Sequence, residues 1–111
     1  MVIKMTKKVY VLNAPILTSY GTFIFRKISI GKARNILSKN EFVSAIGHES
    51  TAKFLSQILG INIPLNRIQI KMSKGDRAVV FKLLDRLPEG KVLSIDEIKN
   101  VKYEIGLLIK L

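Results

Sequence analysis

The first half of the chain alternates between apolar segments of strand length and a segment of helical spacing. Runs rich in β-branched and aromatic residues predict strands at Lys8–Leu12 and Thr22–Ile30. Apolar residues on one side of a 3.6-residue period predict a short helix at Lys32–Lys39, and Phe42–Ile46 predicts a third strand. The chain therefore begins with the element order β-β-α-β.

A second helix is predicted directly after this third strand. Ser50 or Glu49 can cap its beginning, and Gly60 is placed to end it. The apolar positions between these bounds have helical spacing: Ala52, Leu55, Ile58 and Leu59. This pattern predicts that one face of the helix packs on a core.

The last third of the chain predicts a hairpin, a short helix and a final strand. Asn66–Met72 alternates as a strand and Arg77–Leu84 returns after a turn at residues 73–76, which is typical of a β-hairpin. Ser94–Glu97 has the form of a capping box, and Tyr103–Leu111 closes the chain as a strand. The whole order predicts a single α/β domain over residues 1–111, with a mixed β-sheet of about five to six strands and flanking helices.

Composition narrows the class of protein. Apolar residues make up 48% of the 111 residues, enough for one compact core. No apolar stretch approaches the roughly 20 residues that span a bilayer, and no signal peptide is recognisable, so we expect a cytoplasmic protein that needs no membrane. The chain has no cysteine and one histidine, which disfavours a metal site within one subunit. We therefore expect chemistry without a metal or another cofactor.

Charge is distributed unevenly along the chain. The formal net charge is +11, and residues 1–40 hold eight basic residues and no acidic one. A field of this sign attracts polyanions, which makes a nucleic acid or a nucleotide the natural class of partner. A lysine-rich solvated surface is the alternative, and composition alone leaves both open.

The single histidine, His48, lies where the third predicted strand meets the second predicted helix. A helix N-terminus offers backbone N–H groups and a positive dipole end to an anion, and an adjacent imidazole can donate a proton to that anion's leaving group. An ordinary surface histidine is the alternative. Residues of types that can hold phosphate also fall at strand ends and in loops: Asn13, Ser50, Thr51, Arg67, Arg86 and Glu89.

The order of these residues resembles a known family. The segments Gly47-His48-Glu49-Ser50-Thr51, Asn66-Arg67 and Arg86-Leu87-Pro88-Glu89-Gly90 closely resemble the anti-CRISPR ring nucleases of archaeal viruses and their bacterial relatives, formerly a domain of unknown function. The resemblance runs from Val9-Tyr10-Val11-Leu12-Asn13 to the last strand. It implies metal-independent cleavage of cyclic tetra-adenylate, the second messenger of type III CRISPR defence, so that the defence is switched off.

The resemblance also implies roles for individual residues. The family's catalytic histidine falls on His48, and its ligand-positioning residues fall on Asn13, Ser50, Arg67, Arg86 and Glu89. The chain departs from the family in the first loop, where a serine contact moves to Thr18 or Ser19, and at Asp85, where viral members have a glutamine. The expected substrate-binding residues are therefore Asn13, Thr18, Ser19, Gly47, Ser50, Thr51 and Arg67, and the expected catalytic residues are His48, Arg86 and Glu89.

Residue chemistry is consistent with this reaction. An RNA phosphodiester carries its own nucleophile, the 2′-OH, so the protein needs only to align it, stabilise charge and protonate the leaving oxygen. His48 is the expected general acid, Ser50 and Thr51 cradle the phosphate, Arg86 neutralises developing charge, and Glu89 orients Arg86 or a ribose hydroxyl. The products would be linear di-adenylates that end in a 2′,3′-cyclic phosphate.

The symmetry of the expected substrate bears on the assembly. A ring of four identical nucleotides has a two-fold axis, which fits a homodimer with the site at the subunit interface. Two other functions stay open: a non-catalytic basic protein that binds long nucleic acid, and a protein that sequesters the cyclic messenger without cutting it. Long nucleic acid is not required by the ring-nuclease prediction.

Overall fold

The computed structural model describes residues 8–13, 20–84, 97 and 100–111. The helices and strands of these residues follow in the order β1 (Val9–Leu12), β2 (Phe23–Ile28), α1 (Ile30–Lys39), β3 (Val43–Ser44), α2 (Glu49–Leu59), β4 (Arg77–Leu83) and β5 (Tyr103–Lys110). They confirm the predicted α/β class. No helix in the described ranges is long and apolar enough to cross a membrane.

The strands form one mixed sheet in the order β2-β5-β4-β1-β3. β1 runs parallel to both of its neighbours, β3 and β4, whereas β5 is antiparallel to β4 and to β2. The carboxyl ends of β1, β3 and β4 therefore meet at the same edge of the sheet. In open α/β sheets this edge is where ligands bind.

Both helices pack on one face of the sheet. The alternating residues of the strands that point to this side, such as Val11, Val79 and Phe81, are buried against apolar residues of α1 and α2. Phe54 of α2 contacts the rings of Phe81 and Tyr103 at centroid distances of 5.5 and 5.6 Å. Aromatic contacts at such distances add to the stabilisation from burial.

The predicted hairpin of residues 66–72 with β4 is wrong. β4 already has β1 on one side and β5 on the other, so neither of its edges is available to a hairpin partner. Residues 66–73 instead carry Ile70 and the buried Met72 onto the second face of the sheet, against Tyr10 and Val80. Residues 66–72 therefore form a segment that covers the sheet. Such a segment alternates between covered and exposed side chains with the same two-residue period as a strand inside a sheet.

Several predicted boundaries are also corrected. The predicted strand Thr22–Ile30 ends at Ile28, because Ser29 is the N-cap of α1: its Oγ accepts the backbone N–H of Lys32 at 3.1 Å. Helix α1 therefore begins at Ile30, two residues before the predicted start at Lys32. The predicted strand Phe42–Ile46 is reduced to β3 and an isolated bridge between Ile46 and Leu65. Of the predicted capping box at 94–97, only position 97 lies within the described residues.

Candidate functional site

The candidate site lies at the carboxyl edge of the parallel strands. Val11 pairs with Ser44, and the N–H of Ala45 donates to the carbonyl of Val11 at 2.9 Å, so β1 and β3 leave the sheet side by side. Asn13, which is half-buried, follows β1 directly, and His48 follows β3 after a short extended segment. The topology thus brings two predicted site residues, 35 positions apart in the sequence, to the same edge.

His48 is the N-cap residue of α2. Its backbone is extended, with φ −122° and ψ 128°, and its side chain makes no capping hydrogen bond. The prediction that Ser50 or Glu49 caps the helix is therefore wrong, since both lie in the first turn. The first N–H groups of a helix have no acceptor within the helix, so the N-terminal end of α2 attracts anions. The exposed imidazole of His48 lies beside this end.

Glu49 is already engaged on the outside of the helix. Its Oε1 lies 2.9 Å from the Nζ of Lys53 one turn later. This hydrogen bond and the charge of Lys53 lower the pKa of Glu49. Because its charge is balanced by Lys53, the carboxylate of Glu49 repels an anion at the helix N-terminus less than an unpaired carboxylate would.

Arg67 reaches the same place from the segment after α2. Its Nε–H donates to the carbonyl of Gly47, the residue before His48, at 2.9 Å. A Cβ on Gly47 would lie 3.6 Å from Cγ of Arg67, so the stem of the arginine passes close over this glycine. Within the described ranges no carboxylate forms an ion pair with Arg67. The two outer guanidinium nitrogens therefore remain for an anion beside His48.

Two residues that the sequence did not mark as site residues hold these segments together. The Nδ2 of Asn66 donates to the carbonyl of Ser44 at 2.8 Å, and the Oγ of Ser44 donates to the carbonyl of Pro64 at 2.7 Å. Their sequence signal is weak, because serine and asparagine are common loop residues. The motif Asn66-Arg67 was part of the resemblance, but only Arg67 was given a role.

The other predicted site residues fall into two groups. Ser50 and Thr51 lie in the first turn of α2. Ser50 is half-buried, whereas Thr51 is only 8% exposed and so also contributes to packing beneath the helix. The other group lies outside the described residues: Thr18, Ser19, Arg86 and Glu89. In the described ranges no cluster of histidine, cysteine or acidic side chains is arranged to hold a metal ion.

A shallow groove of about 530 Å³ runs along the outer side of α2, between the helix and residues 62–65. It begins at Glu49 and ends at Leu65, so it borders the candidate site without including His48, Gly47 or Arg67.

Comparison with known proteins gives consistent matches. A family model described as STIV B116-like matches residues 9–105. Uncharacterized protein 26 of Sulfolobus islandicus filamentous virus is 41% identical over 83 residues, which cover 74% of this chain and 70% of that protein. Uncharacterized protein YddF of Bacillus subtilis is 34% identical over 102 residues, which cover 90% of this chain and 94% of YddF. The solved structure of B116 of Sulfolobus turreted icosahedral virus superposes with a TM-score of 0.79 at 31% identity, covering 92% of this chain and 98% of B116.

Proposed function

The chain belongs to the STIV B116-like family, and we propose that it is a metal-independent ring nuclease that cleaves cyclic tetra-adenylate. The proposal combines the resemblance of its motifs to the anti-CRISPR ring nucleases with the convergence of residues at the N-terminus of α2. Its consequence for a cell would be the loss of type III CRISPR signalling. The protein would act in the cytoplasm, where that messenger is made.

One observation carries the proposal. Arg67 is 19 residues from His48 in the sequence, and yet its Nε–H is fixed on the carbonyl of Gly47 at 2.9 Å. A guanidinium anchored through Nε presents its outer edge as a fork for two phosphate oxygens. The only histidine of the chain lies at the N-terminus of α2, which supports the proposal of an anion site next to a proton donor.

The proposed reaction is a transesterification. The ribose 2′-oxygen attacks the adjacent phosphorus and loses its proton to solvent water, while the bond from phosphorus to the 5′-oxygen breaks. Protonated His48 donates a proton to the departing 5′-oxygen, which becomes a hydroxyl, and the phosphate remains as a 2′,3′-cyclic diester. Arg67 and Asn13 hold the ligand, and the N-terminal turn of α2 with Ser50 and Thr51 holds the phosphate. In the proposed reaction Arg86 neutralises the developing charge, and Glu89 orients Arg86 or a ribose hydroxyl.

The proposal includes a homodimer. Cyclic tetra-adenylate has a two-fold axis, so two copies of this chain related by the same axis would place one His48 at each of two opposite phosphates. Two cuts would then give two linear di-adenylates. We propose that the site lies at this subunit interface and that no long nucleic acid takes part.

The test is incubation of labelled cyclic tetra-adenylate with the wild-type protein in excess EDTA, beside His48→Ala and His48→Gln. We expect linear di-adenylate with a 2′,3′-cyclic phosphate from the wild type. Both variants should bind the ring but lose most of the turnover, typically ~10² to 10⁴-fold for removal of a general acid. An unchanged single-turnover rate in both variants would refute the role of His48.

Two other outcomes would favour the competing functions. Tight binding of the ring without cleavage by the wild type would indicate a protein that sequesters the messenger. Binding of long RNA or DNA that weakens steeply with salt, without preference for the ring, would indicate a basic nucleic-acid-binding protein.

A further inference from the structure

The backbone segment 44–47 before His48 lacks a regular strand ladder, and side-chain hydrogen bonds help to hold it in place. β3 has only two ladder residues, Val43 and Ser44. Beyond them a single isolated bridge, Ile46 to Leu65, connects the segment 44–47 to the segment 64–67. Short or interrupted ladders leave backbone position less constrained, so other contacts must fix the position of this loop.

Ser44 and Asn66 supply these contacts. The backbone N–H of Asn66 donates to the carbonyl of Ile46 at 2.9 Å beside the bridge, whatever the side chain at position 66. The side-chain Nδ2 of Asn66 adds a bond to the carbonyl of Ser44 at 2.8 Å. The Oγ of Ser44, a residue only 3% exposed, donates to the carbonyl of Pro64 at 2.7 Å and accepts the N–H of Ile46 at 3.3 Å. We call these two residues the Ser44–Asn66 clamp.

The clamp is close in sequence to both groups that would meet the phosphate. Asn66 directly precedes Arg67, and Ser44 lies four residues before His48. The clamp joins the two segments just before the bond from Arg67 to Gly47. We propose that Ser44 and Asn66 are positioning residues of the reaction, an inference that rests on the proposed function.

Positioning residues of this kind affect the chemical step more than binding. A misplacement of about 1 Å costs roughly 10²-fold in rate, because the leaving oxygen and the proton donor no longer align. Binding depends on charge attraction, which is less sensitive to such shifts. The clamp therefore predicts a lower kcat with a small change in KM.

Asn66→Asp tests this prediction with almost no change in side-chain size. The substitution replaces the Nδ2 donor by a carboxylate oxygen, which faces the carbonyl of Ser44 and repels it. We expect kcat to fall ~10 to 10²-fold while KM changes less than about threefold. As the pH is lowered from about 7 to about 4, close to the ordinary pKa of about 3.9 for an aspartate side chain, roughly half of the carboxyl regains an O–H donor, so the ratio of variant to wild-type kcat should rise. Asn66→Ala has no such donor and should show no recovery.

Asn40 provides a matched control. Its Nδ2 donates to the carbonyl of Ile36 at 2.8 Å at the end of α1, the same kind of bond at the beginning of the segment into β3, whereas His48 follows the end of β3. Asn40→Asp should lower stability and leave kcat at the wild-type value. Equal kcat losses in Asn40→Asp and Asn66→Asp, or no recovery of Asn66→Asp at low pH, would overturn the positioning role.

A second measurement separates failure of the clamp from failure of the proposed function. The Arg67 Nε–H resonance should exchange slowly with solvent in the wild type and faster in Asn66→Asp, since the bond to Gly47 opens when the clamp is lost. This readout needs no cleavage. If the wild type cuts no ring, the proposed function fails, and an unchanged Arg67 exchange rate in Asn66→Asp would independently reject the clamp.

Discussion

Replacing Arg67 by lysine tests whether its guanidinium does more than supply charge. Lysine keeps the positive charge, so long-range attraction of the ligand is preserved. A single ammonium group, however, cannot hold the carbonyl of Gly47 and at the same time present a two-pronged donor to the phosphate. The substitution therefore removes the oriented pair of donors for the phosphate but keeps the positive charge at position 67.

The size of the effect follows from the environment of Arg67. The side chain is exposed, so losing its bond to Gly47 should cost at most about 0.5 to 1 kcal/mol of folding free energy. Donors aimed at charge in a transition state are worth ~10² to 10³-fold when removed outright. With the charge retained we expect a loss of ~10 to 10²-fold in the single-turnover rate, equal to about 1.4 to 2.7 kcal/mol of transition-state stabilisation.

Arg34→Lys is the matched control. Arg34 also donates its Nε–H to a backbone carbonyl, that of Leu59, at 2.9 Å, and an Nη group to the carbonyl of Ile58 at 3.0 Å. These carbonyls lie at the far end of α2, about 15 Å of helix from His48. Arg34→Lys should lower the free energy of unfolding by about 1 kcal/mol and leave the cleavage rate unchanged.

The assay is single-turnover cleavage of cyclic tetra-adenylate together with urea unfolding of each variant. If Arg67→Lys cleaves at the wild-type rate, or if Arg34→Lys loses as much rate as Arg67→Lys, the anchored guanidinium has no special role. The phosphate would then be held elsewhere.

Three further results are expected. Cleavage should be unchanged in excess chelator, and activity lost in EDTA but restored by magnesium would refute the metal-free reaction. Asp76→Ala should lower the free energy of unfolding in urea by about 2 to 4 kcal/mol, because the buried carboxylate accepts the backbone N–H groups of Lys8 and Ser73 at 3.0 and 2.8 Å. A decrease below about 0.5 kcal/mol would contradict this prediction. Burial, reinforced by the charge of Asp76, raises the pKa of Tyr10, so its contribution to stability is complete below about pH 10 and is lost as the pH rises through the folded-state pKa. Tyr10→Phe should therefore flatten the alkaline fall in stability, whereas Tyr20→Phe, at a fully exposed ring, should not.

The sequence predicted elements best where the local signal was strong and unambiguous. The helical spacing of Ala52, Leu55 and Leu59, with Gly60 after them, identified α2, and Gly60 adopts the left-handed conformation with φ 67° that ends a helix. The run of residues before Asn13 identified β1 within one residue. These predictions depend only on contacts between near neighbours in the chain, which is why they could be made without the fold.

The candidate site was only partly visible in the sequence. The position of His48, the single histidine, at a strand-to-helix junction made it a candidate, and the resemblance supplied roles for Asn13 and Arg67. The roles of Ser44 and Asn66 could not be predicted, because their hydrogen bonds span 20 and 22 residues and involve backbone carbonyls. No local pattern encodes which distant carbonyl a side chain will meet.

The sequence by itself thus determined which segments are apolar on one face, where α2 begins to within a residue or two, and where the basic charge is concentrated. Only the tertiary structure decided that β4 lies between β1 and β5, so that Ile70 and Met72 cover the sheet rather than join it. It also decided that Arg67 ends on the carbonyl before His48. The physical reason is that a two-residue or 3.6-residue period fixes the direction of side chains along one segment, whereas strand order and loop contacts depend on how distant segments share the available edges and faces of the sheet.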